Sequence, residues 1–77
     1  MIYLIEYDRQ SGKLIAIEEF EEHDRVTAED IRLEKELRLL RDQKLSHEVV
    51  LLEASNAEEL HKTHRRYFER IDQLIAQ

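Results

Sequence analysis

No cysteine occurs in this chain, so disulfides and thiolate metal sites are both excluded, and the sequence suits a reducing compartment. Proline is also absent and glycine appears once, which leaves few interruptions to regular structure. No apolar run approaches the roughly 18 residues of a membrane span. The opening MIYLIEYD has neither the basic stretch nor the length of a secretory signal, and the expected location is the cytoplasm. Positive charge is scarce: 12 Lys and Arg stand against 18 Asp and Glu, a net charge of -6. Nucleic acid and anionic membrane surfaces, held chiefly by cationic side chains, are therefore poor expectations as partners.

What is present describes a small folded domain. Hydrophobic residues make up 42% of the 77, which is globular rather than disordered composition. A core of this size supplies only about 3–5 kcal/mol, and with no disulfide available the natural supplement is a second subunit.

Ile2 to Tyr7 carries apolar residues on both parities, the pattern of a strand sheltered on both faces. DRQSGK follows, then a second β pattern from Leu14 to Phe20. Gly12 closes the Arg9–Gly12 loop, where a left-handed residue is needed and glycine adopts that conformation without steric cost. An unbroken register from this hairpin sets Asp8 opposite Lys13, Tyr7 opposite Leu14, Ile5 opposite Ala16 and Leu4 opposite Ile17. One sheet face then holds Tyr3, Ile5, Tyr7, Leu14, Ala16 and Phe20, and the other Ile2, Leu4, Ile15 and Ile17.

Thr27 with Asp30 three residues on reads as a helix N-cap, with Val26 positioned to staple onto Ile31. LEKELRLLRDQKL continues that helix to Ser46 and His47. On it, Leu33, Leu37 and Leu40 line one side, and Ile31 and Leu39 lie well away from them. Glu48 to Ala54 is a short apolar strand. Ser55 and Glu58 form a capping box that opens a last helix, Ala57 to Gln77. Its single stripe holds Ala57, Leu60, His64, Tyr67, Phe68, Ile71, Leu74 and Ile75. These elements predict an α+β two-layer sandwich of order ββαβα, one domain over residues 1–77. Its three-stranded sheet has order 2-1-3, or alternatively 1-2-3 with strands two and three parallel, and both helices cover one face.

On that architecture the other face lies open, and contiguous apolar area marks an interface. The expected contact residues are Tyr3, Ile5, Tyr7, Leu14 and Phe20, with Lys62, Arg66 and Arg70 as a secondary polar surface. The expected role is an assembly module, a homodimer or an accessory subunit of another protein. The alternative is weak single-stranded nucleic-acid binding through Tyr3, Tyr7 and the Lys62-to-Arg70 stripe.

No catalytic motif appears, and no enzyme activity is expected. His64, alone on an apolar stripe, reads as a structural histidine bonded to Tyr3 or Tyr7. His61 and His64 share a helix side but match no zinc spacing, and the acids from Glu18 to Asp24 diverge around Phe20 without an EF-hand loop. The expectation is no metal and no cofactor.

Overall fold

The computed structural model describes residues 1–65. Strand β1 (Ile2–Asp8) and strand β2 (Lys13–Phe20) form the hairpin, a 3-10 turn spans Glu22–Asp24, and helix α1 runs Arg25–Arg41. Strand β3 (His47–Glu53) and helix α2 (Ala57–Thr63) complete the order. The sheet has order β2-β1-β3, with β1 antiparallel to both neighbours. The α+β class, the ββαβα order and the central placement of β1 are as the sequence predicts.

The hairpin loop closes through Asp8. Its carboxylate accepts from the Gln10 backbone N–H at 3.0 Å and from the Ser11 hydroxyl at 2.8 Å. The Gly12 N–H donates to the Asp8 carbonyl at 2.8 Å, with Gly12 at a φ of 73°. These bonds hold the Asp8 carboxyl below its ordinary pKa, the Ser11 hydroxyl contributing most. The adjacent Arg9 clasps the chain before β3: its N–H bonds the Ser46 carbonyl at 3.0 Å and its guanidinium the Leu45 carbonyl at 3.1 Å.

The register departs from the unbroken reading one step into the hairpin. Asp8 faces Lys13 and Tyr7 faces Leu14, but a bulge between Glu6 and Tyr7 then sets Ile5 opposite Ile17 and Leu4 opposite Glu18. One extra residue in β2 shifts everything beyond it by one place. Ile17 thereby joins the Tyr3–Ile5–Tyr7 face, while Ala16 and Phe20 move to the face of Ile2, Leu4 and Glu6.

The helices also begin and end elsewhere than expected. Helix α1 starts at Arg25, ahead of Thr27, because the 3-10 turn feeds straight into it and Arg25 bonds both Glu22 and Glu53. It stops at Arg41, short of Ser46, in a Schellman motif: Lys44 N–H bonds the Leu39 carbonyl at 2.9 Å, and Gln43 takes the left-handed conformation at a φ of 58°. Asn56 caps α2 in place of Ser55, its side chain accepting from the Glu59 N–H at 2.9 Å. Of the long terminal helix expected to reach Gln77, Tyr67, Phe68, Ile71, Leu74 and Ile75 lie outside the described residues.

The two helices pack on opposite faces of the sheet, which corrects the expectation of both on one. Leu60 of α2 is fully buried against Tyr3 and Ile5, with Tyr7, Leu14, Val50, Leu52 and Ala54 around them. Helix α1 lies over the other parity, where Lys35 reaches Glu6 at 3.9 Å and Arg25 bonds Glu53. The reason lies in β1: apolar side chains on both parities need a lid on each side. Ile2, Tyr3, Leu4 and Ile5 are all 3% exposed or less. Each such burial contributes about 1.5–3 kcal/mol.

Two outcomes follow. Leu60→Ala, which opens the lid over Tyr3 and Ile5, is expected to destabilise the fold by about 2–5 kcal/mol in urea unfolding. A loss under 1 kcal/mol would mean α2 contributes little. The lowered Asp8 pKa implies that the folded state binds fewer protons than the unfolded chain, so its stabilisation is complete above the unfolded carboxylate pKa of about 4 and fades as pH falls through the folded value. The melting-temperature gap between the protein and Asp8→Ala should therefore be widest near neutral pH and narrow in acid. A gap constant with pH would contradict this role for the carboxylate.

Candidate protein-docking face

The residues singled out for the sheet interface do not form one surface. Tyr3 and Ile5 are core, beneath Leu60, and burial with the nearby Glu19 carboxylate pushes the Tyr3 phenol up in pKa. Tyr7 and Leu14 are half-buried around them, and Phe20 sits on the opposite face, across from Ile2. The expected open face is thus filled at its centre by the chain's own second helix.

The secondary surface is divided too. Lys62 lies on α2 within 3.6 Å of Glu58 and 3.7 Å of Glu59, an intrahelical arrangement, and Arg66 and Arg70 lie outside the described residues. His64 occupies the C-cap of α2, its backbone N–H bonding the Leu60 carbonyl at 2.9 Å. Its position is thus at the end of the described helix rather than within the stripe.

The largest group of exposed apolar side chains among the described residues is on α1, with Ile15 and Ile17 of β2 a smaller group at 47% and 44% exposure. Leu, Glu, Lys and Arg dominate this helix and hold it without glycine or proline. Ala28 is fully buried against the sheet, and Ile31, Arg32, Lys35 and Leu39 are partly covered. The opposite side carries Val26, Leu33, Leu37 and Leu40, at 71%, 53%, 58% and 62% exposure, with Leu45 at 68% just past the helix. The alternating four- and three-residue spacing places these side chains in one seam, the arrangement by which helices pair. Asp30 occupies the same seam between Val26 and Leu33. Glu34 and Arg41 flank it on one side, Glu29 and Glu36 on the other.

The sheet surface beneath α1 includes a polar cluster. Glu6, on the covered face of β1, is hydrogen-bonded to His47 Nδ1 at 2.8 Å and lies 3.9 Å from the Lys35 ammonium, all three side chains being largely buried. This satisfies a charge beneath the helix. Beside it a shallow pocket of about 300 Å³ opens under the end of α1, lined in part by Leu39, Leu40, Leu45, His47 and Val49. Leu40 and Leu45 belong to both pocket and seam, so the apolar surface extends from helix to strand.

Other site chemistries find less support. Among the described residues, no three His, Cys, Asp or Glu side chains converge to hold a metal ion. Among those residues, too, no helix is long and apolar enough to cross a membrane. The outer seam was visible in the sequence as the Leu33–Leu37–Leu40 spacing. The spacing alone does not identify an outward face, because the sequence does not show which side of α1 meets the sheet. Comparison with models of known protein families, with curated proteins and with solved structures returned no match, so function is argued from this chain's own geometry.

Proposed function

We propose that the protein is an assembly module that binds another protein chain through the outer face of α1, as a homodimer or as an accessory subunit. The observation that carries this reading is the exposure of Leu33, Leu37 and Leu40 in one seam of a helix whose other side is already packed. A contiguous apolar stripe bordered by charges is costly in water and suited to a partner helix or groove. The sheet expectation of Tyr3 and Ile5 as contact residues is replaced by this face, because both are buried within the chain.

The net charge of -6 and the burial of Tyr3 weigh against the single-stranded nucleic-acid alternative, which needs cationic grooves and open rings. The lack of cysteine fits work in a reducing compartment, and the cytoplasm is part of the same proposal.

A photoreactive amino acid placed at Leu37, and separately at Lys62, tests the face. Irradiation of the purified protein, alone and in cell extract, should give protein–protein adducts from position 37 and none from position 62. Leu37→Asp should weaken the complex about 30-fold or more, the loss of an interface hot spot. Absence of any intermolecular adduct at position 37 in both settings would remove this reading.

A further inference from the structure

Resting on the reading of α1 as the docking face, we infer that its partner is a second copy of this chain, with the two α1 helices antiparallel. Charge along the seam selects the orientation. In a parallel, in-register pair, Asp30 would meet the partner's Asp30 inside the seam, and Glu29 would lie beside the partner's Glu34. Both contacts are repulsive, the first is also desolvated, and together they outweigh the attraction that the same pairing gives Glu36 beside the partner's Arg41.

Antiparallel pairing has two registers that bring leucines together. With Leu37 facing the partner's Leu33, Asp30 is buried against the partner's Leu40 and Glu34 approaches the partner's Glu34. With Leu37 facing the partner's Leu40, Asp30 falls beyond the end of the partner's helix, which stops at Arg41. Glu34 then lies beside the partner's Arg41, and the two-fold axis repeats that attraction on the other side. Leu33, level with the partner's position 44, likewise reaches past that helix end and lies at the edge of the contact. Only this register removes Asp30 from the seam and pairs opposite charges.

The contact is short. It stacks few leucine layers and sits at the small end of specific interfaces, near or below about 1,200 Å² in total. The dimer is therefore weak, with a Kd on the order of micromolar, and exchanges readily.

Sedimentation velocity over a concentration series tests this with the full chain, whose monomer mass is 9.3 kDa. The variants are Glu34→Arg, Arg41→Glu and the double exchange, all at exposed positions, with circular dichroism to check the fold. The parent protein should shift from monomer to dimer with concentration. Each single variant should raise Kd about tenfold, and the double variant should return it close to the parent value. In a parallel dimer, Glu34→Arg would instead tighten association by relieving the contact with Glu29, and that result overturns the antiparallel assignment. A double variant without recovery also overturns it.

A parent chain that stays monomeric at millimolar concentration, while position 37 still cross-links to a different protein, overturns the second copy as partner and leaves the docking face standing. Adducts confined within one chain overturn both.

Discussion

Everything in this fold depends on β1 being buried on both sides. Four consecutive side chains, Ile2 to Ile5, are almost completely removed from solvent. Alternation in a strand sends them to opposite faces, so one helix cannot cover them all. Helix α2 closes the Tyr3–Ile5 side through Leu60, and α1 closes the Ile2–Leu4 side, starting from fully buried Ala28. Among the described residues, α2 supplies one fully buried leucine, and α1 lies against the sheet along one side only.

That one-sided packing explains the surface of α1. The sheet face beneath it includes Glu6, whose carboxylate is balanced by His47 and Lys35, and its edge includes Glu53, held by Arg25. Helix α1 therefore meets the sheet with an alanine and paired charges as well as with Ile31 and Leu39. The remaining leucines, spaced for a seam, point the other way. A helix whose outward side is at least as apolar as its inward side is incompletely satisfied as a monomer element. The proposed assembly would cover that side, and the Cys-free composition leaves few other routes to extra stability in so small a chain.

Much of the architecture was legible in the residues. Gly12 marked the hairpin, and the two-sided apolar pattern of Ile2 to Tyr7 marked a central strand. The bulge was not legible, because one additional residue in β2 leaves no compositional trace yet exchanges the faces of Ala16, Ile17 and Phe20. The caps were displaced by a residue or two, since Ser55 and Asn56 are both good N-caps and only the chain's approach selects between them. The placement of the helices on opposite faces has a simpler basis. The lengths of two helices suffice to cover one sheet face, whereas the apolar side chains of β1 on both parities require cover on each. The docking seam was half legible: the leucine spacing was plain, but its outward direction depends on which side of α1, that of Ala28, Ile31 and Leu39, packs on strands far away in sequence.

The most direct test is solvent accessibility of individual methyl groups, read by NMR with an inert soluble paramagnetic agent at low and high protein concentration. The account predicts that Ile2, Ile5 and Leu60 are protected at every concentration, while Leu33, Leu37 and Leu40 are broadened in dilute solution and become protected as the chain associates. Leucines on α1 that stay equally accessible throughout, or are already protected in the isolated monomer, would contradict it.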